Sequence, residues 1–154
     1  MKVVFQRVRH ASVVANGEPA GAIGAGALLL VGIFPQDTPA LAAQMADKLA
    51  HLRVFSDAQD KMNLSVLDVG GGFLVVSNFT LCADCSHGRR PDFFGAARPE
   101  IAEPLYQELV RQLKAQGVAQ VETGVFGADM QILSEADGPI TILLDSADWP
   151  PPKG

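Results

Sequence analysis

From Val3 to Val14 apolar positions, mostly valine, are interrupted by Gln6, Arg7, Arg9 and His10. This near-alternation predicts a strand with one wet face. Asn16-Gly17 follows, a dipeptide that tolerates the positive φ values of a tight hairpin turn, so the chain is expected to return as a partner strand over Gly21 to Ile33 and to bury Leu28 to Val31. The whole apolar stretch Ala22 to Phe34 is shorter than the roughly 20 residues needed to span a bilayer. It therefore reads as core strand.

The period then changes. Asp37-Thr38-Pro39 carries capping side chains and a proline preset for the first helical position. Leu41, Met45, Leu49 and Leu52 form one apolar stripe, which predicts an amphipathic helix from 39 to about 54, with Lys48 and Arg53 suited to the dipole at its end. Gly70-Gly71-Gly72 marks a turn into the short β-branched run Phe73-Leu74-Val75-Val76, a buried strand ending in Ser77-Asn78-Phe79-Thr80. Pro99, the spacing of Leu105, Leu109 and Leu113, and Gly117 predict a second helix, in which Pro104 either kinks the rod or marks its first turn.

The last third alternates again at Val121, Thr123 and Val125, at Met130 and Ile132, and at Ile140, Ile142 and Leu144, with Asp137-Gly138 as an intervening turn. That predicts further antiparallel strands. Gly138-Pro139 requires a sheet edge or a special bend, unless it is a simple turn. The segment Asp148-Trp149-Pro150-Pro151-Pro152 cannot join a ladder and is expected to extend freely. The fold class expected is α/β of the α+β type: a mainly antiparallel curved sheet or barrel with two amphipathic helices. One domain over 1–145 is expected, with a proline-rich tail at 146–154.

Composition narrows the function classes. At 154 residues, 48% hydrophobic and 19% charged, the chain suits one core. A net charge of −5 argues against broad binding to DNA or RNA backbones, so an RNA contact must be local. The one stretch able to host it is His87 to Arg98, where Arg89, Arg90 and Arg98 accompany a single acid, Asp92. Charge alone favours reading this as a solvated basic loop. Met1-Lys2-Val3 leads directly into strand pattern without a secretory leader, and there are only two cysteines, so the cytoplasm is the expected compartment and no membrane partner is expected.

Candidate side-chain machinery is sparse. Cys82, Cys85 and His87 lack a fourth metal ligand, so no metal and no cofactor are expected. His10, His51 and His87 stand beside no nucleophile elbow. The segment that does offer chemistry is Ser77-Asn78-Phe79-Thr80-Leu81, where hydroxyls, an amide and freed backbone N–H groups gather at the end of a buried strand. The same residues read structurally as a polar cap on that strand.

Several ordered motifs carry a family resemblance. Gln6-Arg7-Val8 with Ala11-Ser12-Val13, then Phe55-Ser56-Asp57, Lys61-Met62-Asn63-Leu64, Ser77-Asn78-Phe79-Thr80-Leu81, Arg90-Pro91 with Phe93, and Gly138-Pro139-Ile140-Thr141 appear in sequence. From Met1 to about Leu144 the chain resembles the D-aminoacyl-tRNA deacylases. Two positions depart: Asn78 stands where the family usually has glutamine, and Ala136 where an asparagine usually precedes Gly-Pro.

The resemblance implies a homodimer in which Gly138-Pro139, joined by a cis peptide, reaches into the partner's pocket, crowds out an L-side chain and admits a D-amino acid. It implies that Arg7 braces this loop and that Phe126 and Met130 bind the terminal adenosine of tRNA; Arg89 and Arg90, from the basic stretch, are the further candidates for binding the tRNA end. Ser77, Asn78, Phe79 and Thr80 would supply backbone donors and pocket lining. The ester is a reactive acyl donor, so positioning, an oxyanion site and the terminal ribose hydroxyl would suffice for hydrolysis; a Thr80 nucleophile is the alternative. Glycine wrongly attached to tRNA is a further candidate substrate. Two rival functions stand beside this one: a related deacylase that removes L-alanine, and a non-catalytic module that binds the tRNA end.

Overall fold

The computed structural model describes residues 1–152. Strand β1 (Lys2–Ala15) is followed by β2 (Glu18–Ile23) and β3 (Gly26–Gly32), both antiparallel to β1 and on the same edge of it. The expected return strand is thus broken into two: β2 pairs with Ala11 to Ala15 and β3 with Lys2 to Val8. The turn itself sits at Asn16-Gly17, both with positive φ, as the dipeptide predicts.

Helix α1 (Pro39–His51) is capped by Thr38, whose hydroxyl accepts from the Leu41 N–H at 3.2 Å. It ends three residues short of the expected limit, leaving Arg53 outside to donate to the Asn63 carbonyl. A small hairpin, β4 (Phe55–Ser56) with β5 (Met62–Leu64), comes next. Its turn is organised by the Asp57 carboxylate, which accepts from the Gln59 and Lys61 N–H groups and from the Asn63 amide. These hydrogen bonds, with that to Lys61 contributing most, hold the Asp57 carboxyl below its usual range. The short helix α2 (Val66–Val69), opened by a capping box at Ser65 and Asp68, was not expected from periodicity, since one turn is too brief to show a period.

Strand β6 (Gly72–Ser77) runs parallel to β3, and β7 (Gln120–Thr123) runs parallel to β6, with helix α3 (Pro99–Ala115) between them in sequence. The expectation that the last third is all antiparallel is therefore corrected for β7: alternation reports which face is buried but not strand direction. Pro104 lies within α3, which starts ahead of it at Pro99, so Pro104 does not mark its first turn.

Strand β8 (Met130–Asp145) is a single strand of 16 residues along the other edge of β1. Asp137-Gly138 is consequently not a turn. The ladder slips between Gln6↔Thr141 and Val8↔Ala136, so residues 137–140 bulge out opposite Arg7.

The main sheet curls until β2 approaches β7; a Cβ added at Gly21 would stand 2.7 Å from the Thr123 carbonyl oxygen. Period-2 alternation then divides the core. Ala27, Leu29, Val31, Phe73 and Val75 face α1 and α3, while Leu28, Leu74 and Val76 face the inside of the curl with Val8 and Val13. The tail is not free up to Trp149: Ser146–Asp148 form a 3-10 turn, and Trp149 packs on the core with Lys48 Nζ 5.8 Å from its ring centre. Lys153 and Gly154 lie outside the described residues. Among those described, no helix is long and apolar enough to cross a membrane.

Candidate active site

The parallel strands β3 and β6 end side by side, and it is beyond the carboxyl ends of parallel strands that ligand sites commonly open. The Asn78 N–H still donates to the Val31 carbonyl at 2.7 Å; there the ladder stops and Phe79–Cys82 turn as a 3-10 helix. The result is a cavity of about 850 Å³, a volume fit for a nucleoside-sized ligand. Its floor and walls come from Ser77 to Thr80, from Ile33 and Ala102, from Phe126 and Asp129 in the connection after β7, and from Met130 at the start of β8.

Asn78 and Thr80 are locked together. The Asn78 side-chain oxygen accepts from the Thr80 N–H at 3.3 Å and also from the Thr80 hydroxyl. An amide oxygen is not a base near neutral pH, so this contact does not activate Thr80 as a nucleophile. It also occupies the Thr80 N–H. The Phe79 N–H, first in the 3-10 turn, has no acceptor among the described residues and is left free to donate to a ligand.

Rigidity comes from behind. Tyr106 on α3 donates its hydroxyl to the Val75 carbonyl at 2.6 Å, and its burial pushes the phenol up to about 12. Its ring meets Phe126 at 6.0 Å, so one side chain ties helix, strand and cavity wall together. Phe79, more than half exposed, is met edge-on by Phe93 at 5.1 Å.

The structure therefore brings Ser77, Asn78, Phe79, Thr80, Phe126 and Met130 to one cavity. It does not bring Arg7, Gly138 or Pro139 there. Arg7 is buried; its Nη1 donates to the Val54 carbonyl at 2.8 Å, and its Nε lies 3.2 Å from the Asp137 carboxylate and 3.4 Å from the Asp137 carbonyl. Asp137 leads directly into Gly138-Pro139, a cis peptide whose two residues are exposed. Arg89 and Arg90 are exposed on the loop before α3 and do not line the cavity.

Sequence reasoning missed the contribution of Arg98-Pro99 and Ala102 at the start of α3. The signal was present in the helix-start proline, but Arg98 read only as part of a basic stretch. No histidine lines the cavity: His10 pairs with Glu135, His51 lies beside Asp47, and His87 is on the exposed loop. Cys82 is buried and its thiol is pushed up by that burial, whereas Cys85 is exposed. Among the described residues no group of three or more His, Cys, Asp or Glu is placed to hold a metal.

A strand-end cavity of polar caps and backbone donors, with Asp129 as its one carboxylate, Arg98 as its one cation and no histidine, cysteine or lysine, defines a class of sites that work chiefly by positioning a reactive ligand. Residues 4–145 match the family described as D-Tyr-tRNA(Tyr) deacylase, and the chain belongs to that family. It is 51% identical to the D-aminoacyl-tRNA deacylase of Thermus aquaticus over 97% of this chain and 98% of that protein. It is 52% identical to that of Chloroflexus aurantiacus over 99% and 95%. A solved structure titled c-Myc DNA Unwinding Element Binding Protein superposes with a TM-score of 0.88 at 41% identity, over 95% of this chain and 99% of that one. A probable eukaryotic D-amino acid tRNA deacylase shares the fold, with a TM-score of 0.83 at 15% identity over 93% and 97%.

Proposed function

We propose that this chain hydrolyses the ester linking a D-amino acid to its tRNA, releasing the free amino acid and an uncharged tRNA, and so proofreads chirality in translation. The observation that carries this reading is the meeting, in one cavity, of the Ser77–Thr80 strand end with Phe126 and Met130 in a chain of this family. The terminal adenosine seats against Phe126 and Met130, and the ester carbonyl lies by the Phe79 N–H.

Water adds to the carbonyl carbon, the Phe79 N–H stabilises the oxyanion, and collapse of the tetrahedral species expels the ribose oxygen, which takes up a proton. The adjacent ribose hydroxyl relays that proton, so the cavity needs no base of its own. Thr80 acts through its cap with Asn78 and forms no acyl-enzyme.

Chiral selection belongs to Gly138-Pro139, supplied by a second copy. In support, these residues are exposed and absent from their own chain's cavity, and β8 presents an unpaired edge with Leu133 and Leu143 at 70% and 61% exposure. A homodimer covers that edge. Arg7 holds the bulge in position through Asp137. Arg89 and Arg90 add positive charge for the acceptor end. The cytoplasm, where charged tRNA is used, suits the two free thiols.

The test is a side-by-side assay of D-Tyr-tRNA, L-Tyr-tRNA and L-Ala-tRNA. D-Tyr release should exceed L-Tyr release by on the order of 10²-fold. Preferential release of L-alanine would assign the chain to the L-specific relative, and binding without release would make it a tRNA-end binding module.

A further inference from the structure

Phe94 is the most exposed large apolar side chain among the described residues, at 94%. It is not on a loose end. The loop carrying it is closed by paired backbone bonds between Asp84 and Asp92, of 2.8 and 3.0 Å, and the Asp92 carboxylate accepts from the Phe94 N–H at 3.3 Å. Its neighbour Phe93 turns the other way, into the cavity wall against Phe79. Two consecutive phenylalanines thus serve opposite sides of one rim.

The sequence around the bare ring is rich in arginine although the chain is acidic. Arg89, Arg90 and Arg98 flank it in the sequence, and the two acids of the loop, Asp92 and the Asp84 paired with it, each have a carboxylate oxygen engaged by a backbone N–H. Arg98 is also the one cationic side chain in the cavity lining, and it has no ion-pair partner among the described residues. An exposed aromatic ring on a loop that also carries unpaired arginines has the chemistry that binds single-stranded nucleic acid: rings stack on bases of any sequence, and guanidinium groups take phosphates.

We propose that Phe94 and Arg98 form a second seat next to the cavity, for the unpaired nucleotides that precede the terminal adenosine, with Phe94 stacking on a base and Arg98 taking a backbone phosphate. The proposal rests on the reading that the cavity itself takes the terminal adenosine ester. It explains how a chain with net charge −5 engages tRNA: attraction is confined to one strip beside the site.

Three substrates of increasing length separate the seats: 3′-D-tyrosyl-adenosine, a D-tyrosyl-CCA trinucleotide and D-Tyr-tRNA. Phe94→Ala should raise KM roughly tenfold on the trinucleotide and on tRNA. On the adenosine ester it should stay within about twofold of the parent, since that substrate has no base to stack there. Phe94→Tyr should restore the loss. Arg98→Gln should reduce the slope of log KM against log salt by about 0.7 on the trinucleotide, the share of one single-strand phosphate.

Equal loss on all three substrates, no loss on any, or a change in sedimenting mass for Phe94→Ala would overturn the second seat, the last by making this rim a contact between copies. Failure of the parent protein on all three substrates would instead overturn the function from which the seat is reasoned.

Discussion

Two parts of the molecule carry the features of a site, and they are built as opposites. The end of β6 is a recess, lined by apolar walls, capped by Asn78 and backed by Tyr106. The Gly138-Pro139 bulge of β8 is a projection, exposed at its tip and stiffened from beneath by the Arg7–Asp137 pair. On the proposed function the recess seats the ester, and the projection, absent from its own chain's recess, supplies the group that reads handedness. Each supplies what the other lacks, which is why a single copy is an incomplete enzyme on this reading.

The sharpest way to break that pairing is to damage the parts separately. A Cβ at Gly138 would stand 2.7 Å from the Ile140 nitrogen, at a φ of +129° that side chains rarely adopt. Gly138→Ala should therefore displace the bulge and lower kcat/KM by at least about a hundredfold. Ala96→Trp, which fills the recess, should be equally inactive. Mixed and reassembled, the two variants should recover about a quarter of parental activity, because half of the random dimers hold one undamaged pairing of recess and projection. No recovery, with mixed dimers demonstrated, would place both parts in the same chain's site.

A smaller effect is expected from Arg7→Ala. It leaves the Asp137 carboxylate, one-third exposed, without its nearest partner and frees the Val54 carbonyl. The urea midpoint should fall by the equivalent of about 2 kcal/mol, with a several-fold loss of D-selectivity as the bulge loosens. Unchanged selectivity in a destabilised protein would reduce Arg7 to a folding role. Smallest is Thr80→Ala, which removes the hydroxyl that donates to the Asn78 side chain, costs about 1 kcal/mol and should slow single-turnover hydrolysis only several-fold. A loss of several orders of magnitude would make Thr80 the nucleophile after all.

The recess was largely legible from the residues. Gly70 to Gly72 announced β6, its β-branched run fixed its length, and the polar text from Ser77 marked where the ladder stops. The projection was not. Asp137-Gly138 has the local chemistry of a turn, and only pairing with β1 on both sides of the bulge overrides that preference. Direction was equally hidden in β7, since a strand's alternation is the same read either way. Trp149 looked like part of a loose proline-rich end because nothing local reveals that Lys48 and the core await it. Arg98 was visible as charge, but its place at the cavity follows from where α3 docks, a tertiary matter.

Strand β1 also sets a timetable. One of its edges is satisfied by β2 and β3, which follow within some thirty residues, but the other must wait for β8, whose Asp145 pairs back to Lys2. At ordinary elongation rates of about 5–20 residues per second, that interval lasts on the order of ten seconds. Throughout it the nascent chain holds an open strand edge, the surface most prone to capture by another chain. Arg7 meets Asp137 only when this edge closes, so the bulge it steadies is among the last features a newly made molecule acquires.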